Sequence, residues 1–331
     1  RQAYFEDAAY VRLVLRSYEL WRELEQKTAE QLLRITGVLS VGEEGSEIIS
    51  GTKRSATEHE LRLETLSRRQ VEERYPILRL LPDEVALFEP DGGVLDPERA
   101  VGAHLKMALA SGADLRFQVT MRSWEATGEG IITIILEDGS RISARTFVLS
   151  LGPWFKETLD ILGVPLRIQR NVQAWFSPSS TSYDVDRFPA FLLDRAGLPA
   201  PLYGFPDFGD GIKAAFHGFG QLTTADELDR EVNMTRDVAP IAATMDEWMP
   251  GAAAKFREAK PCMYSLTPDG NFVIDRHPQH PNVILCGGFS GHGFKFAPVV
   301  GEIAADLALD GGTRHRIDFL SLKRLALKPR G

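Results

Sequence analysis

The chain has 331 residues, 44% of them hydrophobic and 25% charged, the balance of a globular protein with room for two sizeable cores. A net charge of −8, a pI near 5.5 and the lack of a basic stripe argue against a nucleic-acid binder, and no run of about 18 apolar residues is present to span a membrane. Two cysteines, Cys262 and Cys286, are too few for a disulfide framework, so a reducing compartment, the cytoplasm by default, is expected.

In chain order, Tyr10, Val11, Val14, Leu15, Tyr18 and Trp21 recur at three- and four-residue spacing and predict a helix over the first twenty-odd residues. Thr36–Val41 reads as a strand stopped by Gly42, and the polar stretch Thr57–Tyr75 as a helix ending at Pro76. After the turn Pro90-Asp-Gly-Gly93, Asp96 and Pro97 open a helix to about Ala110. Ile131–Leu136 and Arg141–Ala144 flank Asp138-Gly139, a hairpin signal, and Thr146–Ser150 is a further strand. Strands dominate from about Leu166 to Ser265, followed in type by one amphipathic helix within that stretch, Asp237–Trp248. Val283–Leu285 is a buried strand ending in a buried Cys286, and a helix runs from about Pro298 to Leu309. Arg167, Arg170 and the pair Lys53–Arg54 read as solvated faces. Helix–strand alternation at both ends around a strand-rich middle predicts two interleaved domains of the α/β or α+β class.

Between the last strand and helix lies Gly287-Gly-Phe-Ser-Gly-His-Gly-Phe-Lys-Phe296. Its glycines let backbone approach a flat ligand, and the helix N-terminus behind it favours negative charge. An ordinary strand–helix turn explains the glycines equally well; the embedded His292 and Lys295 favour a site.

Pro261-Cys-Met-Tyr-Ser265, Asn271-Phe-Val-Ile-Asp275 and Gly288–Phe296 together resemble the monomeric sarcosine oxidase and N-methyltryptophan oxidase family, FAD-dependent amine oxidases of the D-amino-acid oxidase superfamily. The likeness extends through Arg1-Gln-Ala-Tyr4, Tyr203-Gly-Phe-Pro206 and Gly211–His217. It implies a Rossmann-like FAD-binding domain (1–30, 92–165 and 270–331) interleaved with a mostly antiparallel β-sheet substrate domain (31–91 and 166–269). It also implies oxidation of a small secondary amino acid such as sarcosine to an imine, with O2 reduced to H2O2, by a monomer whose partners are a small amino acid and O2. No metal is expected.

Residue by residue, Cys262 matches the covalent flavin anchor. Arg1 and Lys295 match the pair that holds the substrate carboxylate, where a planar guanidinium and a point charge suit that group. Lys213 matches a lysine over the reactive flavin nitrogen, a fixed cation for oxygen reduction. His217, Tyr203, Tyr264 and His292 match side chains lining the substrate cavity, able to orient the amine. Gly288, Phe289, Gly291, Gly293 and Lys295 fall in the flavin loop, Met121 near the adenine, and Val148–Gly152 on the strand beneath the dinucleotide. Leu192 stands where a methionine lines the sarcosine cavity, Leu202 replaces an aromatic residue beside Tyr203, and Trp175 is closer to the N-methyltryptophan branch. A pocket opened by Leu192 and Leu202 would suit N-methyltryptophan or pipecolate.

No G-x-G-x-x-G fingerprint joins a strand to a helix here, and the resemblance places it before Arg1. The chain is therefore expected to lack the family's first strand, glycine loop and helix and to bind FAD poorly alone; a non-catalytic remnant is the alternative from another class. Lys328-Pro-Arg-Gly331 is not a peroxisomal address.

Overall fold

A computed structural model describes residues 1–127 and 130–326; Lys328–Gly331 lie outside them. The chain divides into two compact units, one of residues 1–15, 31–96 and 169–264, the other of 16–30, 97–168 and 265–331. Residues 1–15 thus group with the sheet-rich segments and not with 97–168.

The first unit is built on a nine-stranded sheet. Its strands are β1 (Val38–Glu43), β2 (Glu64–Leu66), β3 (Glu84–Glu89), β4 (Arg167–Ser177), β5 (Ala190–Asp194), β6 (Leu202–Phe205), β7 (Ile212–Phe216), β8 (Leu222–Thr223) and β9 (Lys255–Leu266). The order is β8-β4-β7-β6-β5-β1-β3-β2, with β9 pairing β4 off this path. Pairing is antiparallel at β4–β7, β7–β6, β6–β5, β1–β3 and β3–β2, and parallel at β5–β1.

Because successive strand residues point to opposite faces, the sheet sorts its side chains by position. Ala174 and Phe176, Phe191 and Leu193, Leu202, and Ile212, Ala214 and Phe216 are all buried in one apolar cluster. The helix Ala239–Trp248 contributes Ile241, Met245 and Trp248 to it. The Trp248 and Phe191 rings meet edge to face at 5.3 Å, an arrangement aromatic quadrupoles favour.

Three local expectations change. The helix expected over Thr57–Tyr75 is instead a helix Glu47–Glu58, the strand β2 and a helix Arg68–Arg74. Ser46 and Ser67 cap the two helices, the second with a full capping box to Gln70, while Glu60 at φ 54° prevents the first from continuing. Gly42 lies inside β1, not after it, because a Cβ there would sit 2.6 Å from the Asp194 carbonyl oxygen of the neighbouring strand. Arg170 is not solvated: it is 4% exposed and its guanidinium binds the Asp237 carboxylate at 3.0 and 2.9 Å and the Asp229 and Glu231 carbonyl oxygens, both at 2.8 Å. Burying a charge is tolerable only with such partners.

In the second unit, Val283–Gly287 pairs antiparallel with Val273–Arg276 and parallel with Phe147–Leu149, under the helix Ala297–Leu309. Cys286 is buried there. Met121–Ala126, Ile132–Leu136 and Arg141–Ala144 form a separate antiparallel sheet. No helix among the described residues is long and apolar enough to cross a membrane.

Candidate active site

The sheet face opposite the apolar cluster carries the chemistry of the first unit. Registration does the placing: Lys213 stands across from Phe205 on one side and from Trp175 on the other, and Leu192 across from Tyr203. Cys262 and Tyr264 are two apart on β9 and so share a face. Five of the expected residues, Lys213, His217, Tyr203, Tyr264 and Cys262, are brought together in this way.

A chain of polar contacts runs through them. Gln173 donates from Nε2 to the Tyr203 hydroxyl at 3.3 Å, the Tyr203 and Tyr264 hydroxyls influence one another, and the Tyr264 hydroxyl lies 3.4 Å from His217 Nδ1. Burial raises the pKa of both phenols, Tyr264 strongly, so both are neutral hydroxyls at ordinary pH. The Cys262 thiol is also pushed up by burial, although Lys213 and Arg170 pull it the other way. The Lys213 ammonium is 4.9 Å from the Trp175 ring centre and 5.7 Å from that of Phe205. Gln173 and Phe205 were not singled out from the sequence. Their signal was the alternation itself, 173 with 175 and 203 with 205.

Leu202 does not belong to this face: it is fully buried in the apolar cluster and cannot open the site, whereas Leu192, opposite Tyr203, borders it.

Arg1 pairs with Glu6 at 2.5 Å and packs its guanidinium 4.6 Å from the Tyr4 ring and 4.1 Å from that of Phe5. Burial opposes its charge, but Glu6, Tyr4 and Glu89 outweigh that and leave its pKa raised. The Glu89 carboxylate also receives the backbone N–H groups of Gln2 and Ala3.

The glycine loop lies in the second unit. A Cβ would collide with Phe155 at Gly287, with Thr267 at Gly288 and with Phe289 at Gly293, so these three glycines serve the packing of the loop; Gly288 and Gly291 also have φ of 62° and 81°. Ser290 ties the loop down, donating its N–H to the Ser265 carbonyl oxygen at 3.0 Å and receiving the Thr267 N–H on its hydroxyl at 3.3 Å. His292 Nε2 lies 3.1 Å from the Gly270 carbonyl oxygen, and its ring packs 4.8 Å from Phe272. Lys295 donates from Nζ to the His292 carbonyl oxygen at 2.8 Å, and its own carbonyl oxygen receives Trp21 Nε1–H at 3.1 Å. Met121 lies across from Leu136, beside a bulge in its sheet.

Residues 1–307 match the family model described as FAD dependent oxidoreductase. The chain is 41% identical over 335 aligned residues to the monomeric sarcosine oxidase of Streptomyces avermitilis, covering 99% of this chain and 86% of that protein. To the N-methyl-L-tryptophan oxidase of Yersinia pestis it is 33% identical over 327, covering 98% and 86%. L-proline dehydrogenase from P. horikoshii shares the fold with a TM-score of 0.84 at 21% identity, covering 98% of this chain and 85% of that one. NikD, described as an unusual amino acid oxidase, does so at 0.79 and 23%, covering 94% and 82%.

Proposed function

The chain belongs to the FAD dependent oxidoreductase family, and from that membership we infer a flavin-dependent oxidase of small N-methyl amino acids such as sarcosine. The observation that carries the reading is the sheet face on which a thiol, an ammonium, two neutral phenols and an imidazole stand together. That donor set fits a flavin and an amine: a sulfur to anchor the ring, a cation for charge that develops on reduction, and hydroxyls for a nitrogen.

When bound, FAD supplies the acceptor for the two electrons removed from the carbon next to the amine nitrogen and passes them to O2, giving H2O2. The protein's own residues do the rest. Cys262 is proposed as the covalent anchor, and Gly288, Phe289, Gly291, Gly293 and Met121 as the residues of the second unit that hold the cofactor. The two units are accordingly proposed as a substrate-binding sheet unit and a FAD-binding unit. Tyr203, Tyr264 and His217 orient the amine and hold it neutral, since a protonated nitrogen has no lone pair to push into the forming imine. Lys213 is the proposed cation of the oxygen step. Arg1 binds the Glu6 carboxylate, and it is proposed to take a substrate carboxylate in exchange. In the second unit, His292 is proposed as a cavity residue and Lys295 as a cation for the substrate carboxylate. The enzyme is further proposed to act as a cytoplasmic monomer.

The test is a denaturing gel viewed under ultraviolet light, with peroxide assays on sarcosine, N-methyltryptophan and pipecolate. An acid-stable fluorescent band that vanishes in Cys262→Ala supports the anchor. A flavin released by denaturation overturns it, and no peroxide from any of the three amines overturns the substrate class.

A further inference from the structure

Phe205, Lys213 and Trp175 form one row across three adjacent strands, β6, β7 and β4. The pairs are directly opposed, the closest placement two strands offer, so the rings flank the lysine stem from both sides. The ammonium ends 4.9 Å from the indole centre and 5.7 Å from the phenyl centre, within cation–π reach of both. The flanking residues of β7, Ile212 and Ala214, are buried on the other face, so the strand cannot roll to carry the lysine elsewhere. A second ammonium, Lys260, lies 5.4 Å from the same indole, but it is exposed and paired with Glu258 at 3.0 Å. The indole thus meets two ammonium groups, Lys260 and Lys213.

A lysine has four rotatable bonds and in water wanders over many rotamers. Aromatic faces attract an ammonium through their quadrupole while leaving its formal charge whole. We propose that Trp175 and Phe205 are positioning residues that hold the Lys213 ammonium in one rotamer on the sheet face where O2 is reduced. This rests on the reading of Lys213 as the oxygen-step cation.

Two measurements on the flavin-loaded protein test it. The first does not depend on activity. Lysines are reductively methylated with 13C-formaldehyde and the Lys213 resonance is assigned by its loss in Lys213→Arg. It should lie upfield of the exposed lysines through ring currents, and return toward them in Trp175→Leu and, less, in Phe205→Leu. The second is stopped flow on the two half-reactions. Trp175→Leu should lower the rate constant of the reduced enzyme with O2 by roughly three- to tenfold, the range a partly desolvated cation–π contact implies. Flavin reduction by the amine should stay within about twofold on the same grounds. In a Lys213→Met background the added Trp175→Leu should cost nothing more in the oxygen step, and Lys260→Gln alone should leave that step unchanged.

An unshifted Lys213 resonance overturns the proposal. So does an equal loss in both half-reactions, or a Trp175→Leu effect that persists without Lys213. If Lys213→Met slows the oxygen step and neither ring removal does, Lys213 keeps its role and the bracket is refuted. If Lys213→Met itself leaves the oxygen step untouched, the role of Lys213 falls and the proposal with it. Phe205→Leu carries the same tests should Trp175→Leu fail to fold.

Discussion

The Tyr264 hydroxyl lies 3.4 Å from Nδ1 of His217, at the end of a chain that Gln173 begins 3.3 Å from the Tyr203 hydroxyl. Tyr264→Phe removes the hydroxyl that meets His217 and is coupled to Tyr203. Losing a buried partner costs about 1–3 kcal/mol, so anaerobic flavin reduction by substrate should slow by roughly ten- to a hundredfold. Gln173→Leu, at the far end, should cost less. Stopped-flow bleaching of the flavin measures both; an unchanged rate in Tyr264→Phe removes the chain from the chemistry.

Alkali should destabilise the fold. Burial raises Tyr183 from the ordinary 10.0 and Cys286 from 9.0, each to about 12. Both folded groups keep a proton that the unfolded chain gives up. Their contribution is therefore full below the ordinary values and is lost as pH rises toward about 12. Denaturant midpoints should fall with pH above the ordinary cysteine value of 9.0, and less steeply in Cys286→Ala.

Asp237→Asn should be among the most damaging substitutions remote from the site face. Its carboxylate and the Arg170 guanidinium are each only 5% exposed, and breaking one side of a buried pair costs about 3–5 kcal/mol. Burial works against the carboxylate charge, yet hydrogen bonds from Arg236 and Arg170 hold its pKa well below the usual range. That stability is present above the ordinary carboxylate value and is lost as pH falls below it. Chemical denaturation should show the loss, and removing both partners as Arg170→Met with Asp237→Leu should recover part of it.

Two glycines of the second unit should respond in opposite directions to alanine. Gly288 has φ 62° and a Cβ there would meet Thr267 Cγ2 at 2.5 Å, so Gly288→Ala should destabilise by about 1–3 kcal/mol. Gly301 lies in the helix Ala297–Leu309 with open space around its Cα, so Gly301→Ala should stabilise by roughly 0.5–1 kcal/mol. Thermal melting of the two variants gives the comparison directly.

Much of the fold was legible where periodicity was strong. The helix from Pro97 to Ala110 and the hairpin around Asp138-Gly139 lie where Pro and Gly signals put them. Between Ser46 and Arg74 the composition hid two helix caps and a short strand, because the helix Glu47–Glu58 buries mostly small or polar residues, Gly51, Thr52, Ser55 and Ala56, which leave little hydrophobic pattern. Arg170 misled for a related reason: its partner Asp237 is 67 residues away, and no local pattern announces a long-range ion pair. Alternation with Trp175 and Tyr203 marks the face of Gln173 and Phe205, but that Phe205 stands across from Lys213 emerges only from the strand pairing. The family resemblance puts Leu202 in the pocket, but as the strand neighbour of Tyr203 it faces the opposite side and is buried in the apolar cluster.

The strict sorting of the sheet bears on how such a protein can change over time. In β4, β6 and β7 the reactive and the structural positions alternate as 173 and 175 against 174 and 176, 203 and 205 against 202, and 213 against 212 and 214. A library that randomises only the first set varies the proposed amine-facing residues while leaving the apolar cluster of the sheet untouched. A library built on the other set varies robustness at constant chemistry. Selection can therefore tune substrate range and durability along nearly independent axes, within the same short stretches of gene.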